Sequence, residues 1–368
     1  MWLRKISILH YKNIKQADLS FSPKLNCFFG DNGMGKTNLL DAVYYLSFCR
    51  SCMNTPDSQL ISYREELCLL QGEYERGGRT EEIFCALRRR GRKQFKRNKK
   101  EYGRLSEHIG LLPAVMVSPS DAALIAGGSA ERRRFLDLVL SQHDAAYLHA
   151  LIAYNKALLQ RNVLLRESSS DEGLFEALED QLARHGRLVY EKRRRLVEAL
   201  LPLFARYHRL LCGEAEEVGL SYVSQLSEEG WEERLRDERG RDRLLGFSSV
   251  GVHKDELDMR LGDCLMRRAG SQGQNKTFLI ALKLAQFAYL KQEGGEAPLL
   301  LLDDLFDKLD RGRVERLIGL VASADFGQIF LTDTNRQQLD EILRAVGPEY
   351  RLFRLEGGEP SPEEEAAP

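Results

Sequence analysis

The stretch that most constrains the fold of this chain is Gly30–Thr37, GDNGMGKT. It has the spacing G-x-x-x-x-G-K-T, with Gly30, Gly35, Lys36 and Thr37 at the fixed places. An apolar run, Leu25-Asn26-Cys27-Phe28-Phe29, precedes it, and a helical pattern from Asn38 to Leu46 follows. Strand, glycine loop and helix in that order form the context in which such a loop cradles phosphate. Glycines let backbone N–H groups converge on phosphate oxygens without a Cβ in the way, and the helix start adds its positive dipole end. The loop Gly30, Asp31, Asn32, Gly33, Met34 and Gly35 would form the cradle. Lys36 would reach the terminal phosphates of a nucleoside triphosphate, and the Thr37 hydroxyl would hold Mg²⁺. A glycine-rich turn without a ligand is the rival reading, and it does not require every defining residue in the right context.

With 368 residues the chain suits two or three lobes, and 43% hydrophobic against 30% charged residues permits packed cores. Lys plus Arg number 54 against 55 Asp plus Glu, so bulk charge speaks neither for nor against nucleic acid and only local clustering can. No run is long enough to span a membrane, and the start, MWLRKISILHYKN, is too polar for a signal peptide. The 7 cysteines, an odd number, suit reduced thiols in the cytoplasm. Cys49 and Cys52 form a C-x-x-C without a second pair at zinc spacing and read as ordinary thiols.

Trp2–Ile8 and Ala17–Phe21 alternate as half-buried strands around a turn at Lys12-Asn13, and Leu67–Tyr74 and Glu82–Arg88 form a hairpin through Gly77-Gly78. Arg88–Lys100, RRRGRKQFKRNKK, is the densest basic stretch. Arg92, Lys93, Lys96 and Arg97, with Phe95 among them, are candidates for DNA contact; a solvated hairpin tip is the equal alternative. Leu111–Val117 is a further strand. From Ala130, capped by Ser129, to about Arg243 the pattern is helical, clearest over Tyr147–Arg166 and Leu174–Leu211, with a capping loop at Ser168–Gly173. Leu182, Leu188, Val189, Leu196 and Leu200 mark its apolar stripe, and Arg184, Arg187 and Lys192 to Arg195 its polar surface, either a DNA-facing or a merely solvated one. The tail Gly357–Pro368 lacks apolar content and is expected to be disordered.

Leu299–Leu302 followed by Asp303-Asp304 is a Walker B pattern, a fully buried parallel strand ending in carboxylates. Asp303 is the candidate for holding Mg²⁺ beside Thr37, and Asp304 for polarising an attacking water. Ahead of it, Ser271, Gly273 and Gln274 in Gly270-Ser271-Gln272-Gly273-Gln274 resemble the Ser-x-Gly-Gln signature of ABC-type ATPases at a helix start, and Asp307-Lys308-Leu309-Asp310 matches their D-loop. In ABC-type and SMC-type ATPases the signature faces the phosphate loop of a second subunit. The resemblance therefore implies a head-to-tail ATP sandwich, with Ser271, Gly273, Gln274 and Asp310 meeting the partner's nucleotide.

Six stretches together make the chain closely similar to the RecF family of bacterial DNA-repair ATPases: the segment from ISILHYKN to YYLS around the phosphate loop, SPSDAALIAGGSAERRRFLD, YNKALLQRNVLL, GVHKDEL, SQGQNKT and LLLLDDLFDKLD. That resemblance covers nearly all of the chain except its tail. It implies an α/β, ABC/SMC-type P-loop ATPase head with an inserted helical arm lobe. The head would comprise residues 1–130 and 246–356, the arm 131–245 and the tail 357–368. It also implies ATP and Mg²⁺ as cofactors, an ATP-dependent homodimer, and binding to DNA at single-strand gaps, duplex and junctions. The family's members act with RecR and RecO to help load the RecA recombinase in recombinational repair and replication restart. Four departures stand out. Gly251-Val252-His253-Lys254-Asp255-Glu256 replaces the family's Gly-Pro-His-Arg-Asp-Asp, and Asn275 stands where Gln or Arg is common. Thr332-Asp333-Thr334 fills the place of the transporters' switch histidine, and no SMC-type glutamine can be placed near Ser118–Asp121. Missing sensors suit slow hydrolysis with ATP as a switch, and His253 reads as structural. The rivals are a transporter's nucleotide-binding subunit, a small-molecule P-loop kinase, and an ATP-binding protein scaffold that never touches DNA; the signature and D-loop have no role in the kinase.

Overall fold

The computed structural model describes residues 1–167, 169–213, 216–227, 230–305, 309–323, 325–334, 336, 339 and 350–362. They divide into two compact units, each built on its own core. The first comprises Met1–Asp121, Leu210–Cys212 and Gln272–Pro368, the second Ala122–Arg209 and Gly213–Ser271. The division falls at Asp121 and Ser271 rather than at 130 and 245. At the later boundary the reason is strand pairing: Glu256–Leu261 lies against Val218–Val223 in the second unit's sheet.

The first unit holds two six-stranded sheets. One is antiparallel, built from β1 (Trp2–Tyr11), β2 (Ile14–Ser20), β4 (Leu67–Arg76), β5 (Arg79–Arg88), β6 (Gln94–Arg97) and β7 (Lys100–Glu101), in the order β2-β1-β4-β5-β6-β7. The predicted Gly77-Gly78 turn joins β4 to β5 with both glycines at positive φ, as a two-residue hairpin with matching twist requires. The other sheet contains β3 (Leu25–Phe29), β8 (Ala114–Val117), β12 (Leu299–Asp303), β13 (Ile329–Asp333), β14 (Tyr350–Glu356) and β15 (Glu359–Pro362). Its order is β15-β14-β3-β13-β12-β8, with every pair parallel except β14–β15. The strand β15 corrects the expectation of a disordered tail over residues 359–362; residues 363–368 lie outside the described residues.

Helix α1 (Lys36–Phe48) is buried on nearly every side because it touches both sheets, packing on β1, β4 and β5 and on β8, β12 and β13. This is why its sequence is apolar all round rather than amphipathic. The short helix α2 (Asp57–Leu60) follows it. Phe21, Phe28, Phe330 and Phe353 form one aromatic cluster, with Phe28 stacked on Phe353 at 5.0 Å between centroids. Buried Gln328 joins the layers, accepting from Leu3 N at 2.7 Å and donating to the Leu3 and Ser22 carbonyls. Helices α10 (Gln272–Gly294) and α11 (Arg311–Ala322) also belong to this unit, α10 lying along β8.

The second unit contains α3 (Ala122–Ala126), α4 (Ser129–Ser141), α5 (Ala145–Arg166), α6 (Glu172–Cys212), α7 (Trp231–Asp237), α8 (Arg239–Leu245) and α9 (Met266–Ala269). The last residues of α6 cluster with the first unit. Its sheet has the order β11-β10-β9, from β9 (Val218–Val223), β10 (Glu256–Leu261) and β11 (Cys264–Leu265). The capping loop acts through Asp171, whose carboxylate accepts from Leu174 N at 3.0 Å; Ser129 is the first residue of α4 and makes no side-chain cap. Arg193, expected on the polar surface of α6, is instead buried, paired with Asp137 at 2.8 Å and Asp255 at 3.1 Å. His253 is structural, as read: its Nδ1 meets the Tyr154 hydroxyl at 2.8 Å and its Nε2 the Ser248 carbonyl at 3.0 Å. The divergent Gly251–Glu256 stretch is held by the ERRR stretch of α4, Arg132 gripping Glu256 through two hydrogen bonds and Arg133 donating to the Asp255 carbonyl. Among the described residues, no helix is long and apolar enough to cross a membrane.

Candidate nucleotide site

The phosphate loop leaves the C-terminal end of β3 and enters α1. Gly33 and Gly35 have φ of 82° and 102°, left-handed values that a Cβ would strain. Gly30 has a second constraint, since a Cβ there would lie 2.5 Å from the Leu355 carbonyl oxygen of β14. The loop's first glycine thus lets the neighbouring strand pack. Over the loop, Asn13 of the β1–β2 turn donates to the Gly33 carbonyl at 3.3 Å and accepts from Asn38 at 2.7 Å. Met34 touches the other flank, its sulfur accepting from Gly357 N at 3.3 Å, while Asp31 and Asn32 are exposed.

The Lys36 ammonium folds back and donates to the Gly30 and Asp31 carbonyls, at 2.5 and 2.9 Å. Burial lowers its pKa, against the opposing pull of Asp304, Asp303, Asp333 and Asp31. A cation held by loop carbonyls can exchange them for phosphate oxygens, which are stronger acceptors.

Asp303 ends β12, only 3% exposed, and meets Thr37 across 266 residues of sequence. The Thr37 hydroxyl donates to its carboxylate at 2.9 Å. The Thr332 hydroxyl of β13 donates to the same carboxylate at 2.8 Å and accepts from Asp304 N at 3.0 Å. Parallel pairing puts Thr332 directly beside Asp303. Burial raises the Asp303 carboxyl above its ordinary range, while the Thr332 and Thr37 hydrogen bonds pull the other way. A buried carboxylate and a threonine hydroxyl form an all-oxygen donor pair, which fits a hard cation such as Mg²⁺. Asp304 is half-buried at φ 47°, and its carbonyl accepts from Lys276 at 3.2 Å.

The signature residues Gly273 and Gln274 occupy the first turn of α10, immediately after Ser271. The Gly273 carbonyl accepts from the Thr277 hydroxyl at 2.9 Å, which in turn accepts from Arg313 of α11 at 3.0 Å. Asp310 caps α11 through Arg313 N at 3.0 Å; Asp307 and Lys308 of the expected D-loop lie outside the described residues.

The site therefore brings together Gly30–Thr37, Asp303 and Asp304, as the sequence indicated. It adds Asn13 and Lys276, to which sequence reasoning gave no role, and ties Thr332, noted only as filling the switch-histidine place, directly to Asp303. Asp41, fully buried in α1, takes hydrogen bonds from Tyr11 at 2.7 Å and Ser51 at 2.8 Å and an ion pair from Lys12 at 2.6 Å. Burial pushes its carboxyl up, yet Lys12 and the hydrogen bonds win and hold it below the ordinary carboxylate value. A lone acid in an otherwise apolar helix was the available signal. Cys52 of the C-x-x-C donates its backbone N–H to Asp41, and both cysteines are free thiols.

The basic stretch is rearranged relative to expectation. Phe95 is buried against His108 and Tyr102, so it is no stacking surface. Lys93 is held by Tyr45, Cys49 and Asp57, and Arg97 by a two-bonded pair with Glu81. Lys96 lies over the Phe84 ring, and Arg92 is exposed.

Comparison with known proteins places this geometry. Residues 2–350 match the family model of the RecF/RecN/SMC N-terminal domain. The chain is 64% identical to the DNA replication and repair protein RecF of Parabacteroides distasonis over 99% of this chain and 100% of that protein. It is 52% identical to the RecF of Porphyromonas gingivalis strain ATCC 33277 over 98% of this chain and 99% of that protein. Among solved structures it is similar to the recombination mediator protein RecF with ATP in the RecFOR pathway. That likeness has a TM-score of 0.88 at 27% identity, covering 98% of this chain and 99% of the other. An Smc head domain from Pyrococcus furiosus shares the fold, with a TM-score of 0.56 at 17% identity over 98% of this chain and 96% of the other.

Proposed function

The chain belongs to the RecF family, and from that premise we propose that it is an ATP-dependent DNA-binding protein of DNA replication and repair, in which ATP closes two copies head to tail around DNA. The observation that carries this reading is the meeting of Thr37 and Asp303, with Lys36 poised in the same loop. Family membership favours this reading over the transporter, kinase and scaffold alternatives.

In this reading the loop N–H groups of Gly30–Gly35 and the Lys36 ammonium take the phosphates of ATP. Thr37 and Asp303 would hold Mg²⁺, which supplies neutralisation of phosphate charge. Asp304, fixed through its backbone by Thr332 and Lys276, is the residue to orient and polarise water. Ser271, Gly273, Gln274 and Asp310 meet the nucleotide of the second copy, so each bound ATP makes contacts that exist only in the closed dimer. ATP then shifts the monomer–dimer balance by its difference in affinity for the two states. Threonine at the end of β13, where transporters carry histidine, suits slow hydrolysis and use of ATP as a switch. The closed dimer acts at single-strand gaps and junctions with duplex, with RecR and RecO as partners in loading RecA.

The test is Lys36→Met, measured by sedimentation for dimerisation and by anisotropy for DNA affinity, with and without Mg-ATP. Loss of both ATP responses is expected. Unchanged dimerisation and DNA affinity in the presence of ATP would reject the mechanism.

A further inference from the structure

The loop after α2 and the turn after β5, about 25 residues apart in sequence, are fastened into one surface. Arg89 does the fastening: its backbone N–H donates to the Glu66 carbonyl at 3.0 Å, its Nε to the Glu65 carbonyl at 3.0 Å and its Nη2 to the Ser62 carbonyl at 3.2 Å. Ser62 N is in turn held by the His10 carbonyl at 2.9 Å. On this rigid base Tyr63 is 86% exposed, the most exposed large aromatic among the described residues. The Arg64 guanidinium lies 5.5 Å from its ring centroid, and Arg64 has φ 73°, a left-handed value that costs a residue with a Cβ about 1 kcal/mol or more. Strain of this kind persists only where the surroundings enforce it, and it commonly marks a working surface.

On the segment that Arg89 fastens to the Tyr63 loop, Arg88, Arg90 and Arg92 are exposed, and none has an acidic partner among the described residues. The nearby acids are Glu65, which faces His10 at 3.5 Å, and exposed Glu66. Cations without acidic partners, on a loop fastened to the one that carries an exposed ring and its guanidinium, match a nucleic acid with both phosphates and an open base face.

We propose that Tyr63 with Arg64 is a stacking platform for an unpaired DNA base, and that Arg88, Arg90 and Arg92 grip the phosphates of the adjoining backbone. This rests on the DNA-binding reading above and names where an unpaired base beside duplex is read. It also moves the DNA contacts away from Lys93, Lys96 and Arg97, whose side chains are engaged within the protein.

The experiment is anisotropy with Mg-ATP on three DNAs: blunt duplex, duplex with a single-stranded overhang, and the same overhang made abasic. The unaltered protein is expected to favour the base-bearing overhang over the abasic one by about tenfold, the scale of one stacked base. Tyr63→Ala abolishes that preference and Tyr63→Phe keeps it. Arg90→Ala and Arg92→Ala weaken all three DNAs alike and each lower the salt slope by about 1. ATP binding is unchanged throughout, which confirms folding. If the unaltered protein binds none of the DNAs with ATP, the DNA-binding reading itself fails. If it binds them but does not distinguish base from abasic site, or if Tyr63→Ala keeps the preference and the arginine variants keep the slope, the platform is overturned while the parent reading stands.

Discussion

Thr332→Val is the sharpest single perturbation of the nucleotide site, because it keeps the shape of the side chain and deletes only a hydroxyl. That hydroxyl donates to the buried Asp303 carboxylate at 2.8 Å and accepts from Asp304 N at 3.0 Å. A hydrogen bond to a charged group is worth about 1.5–3 kcal/mol net, and a buried N–H left without an acceptor costs about 1–3 kcal/mol. Thr37 still donates to Asp303, so the carboxylate keeps one partner. The expected loss is therefore about 2–4 kcal/mol. Because the protein has two units, one unfolding free energy does not describe it, and the relevant transition is the one that Mg-ATP raises. At about 2–4 °C per kcal/mol for a unit of this size, its midpoint should fall by roughly 5–15 °C. Calorimetric titration with Mg-ATP should also show weaker binding, since Asp303 and Asp304 lose their common anchor. Thr332→Ser, which restores the hydroxyl, should recover most of both effects. A valine variant that melts within about 1 °C of the parent and binds Mg-ATP equally, or a serine variant no better than valine, refutes this role of the Thr332 hydroxyl.

Two further expectations concern the same unit. Gly30→Ala would place a Cβ 2.5 Å from the Leu355 carbonyl at φ 151°, so thermal stability should drop by about 2–4 kcal/mol, measurable as the midpoint of the ATP-responsive transition, and ATP affinity should fall with it. His108 is fully buried, and that burial lowers its pKa from 6.5 to about 4; the Leu46 carbonyl, which accepts from its Nε2 at 2.6 Å, pulls the other way. The unfolded chain therefore binds the proton first on acidification. The stability that neutral His108 carries is complete above pH 6.5 and lost down to about pH 4, by about 3 kcal/mol in all. His108→Gln should flatten the melting-temperature profile between those pH values, and an equally steep profile in that variant would exclude the histidine as the cause.

The chemistry of the site was legible because its residues sit in short, ordered motifs. A G-x-x-x-x-G-K-T loop needs a strand before it and a helix after it, and a Walker B run that is apolar at every position can only be a strand covered on both faces. The sequence alone determined that Gly30–Thr37 and Asp303 belong to one site, and through the signature it indicated which class of ATPase. Alternation and glycine turns also placed β1, β2, β4 and β5. What it could not reach were contacts made by residues with no motif of their own. Thr332 earns its role from the parallel register that sets it beside Asp303, Lys276 from the approach of α10 to the Asp304 carbonyl, and Asn13 from a turn folded over the loop.

Charge was the least legible property. In sequence, Arg193 is one of four consecutive cations on an exposed-looking helix, and Phe95 an aromatic among basic residues; in the structure both are buried. A long cationic side chain reads the same in a list whether it faces water or a buried carboxylate. Only packing separates Lys93, held by Asp57, from Arg92, open to solvent. Likewise the Tyr63 surface exists because Arg89 fastens two separate loops, and no local pattern encodes that distance. The sequence thus settled which chemistry the protein carries, since that depends on residue type and short spacing. The tertiary structure decided which side chains are free to use it, since that depends on neighbours brought from far along the chain.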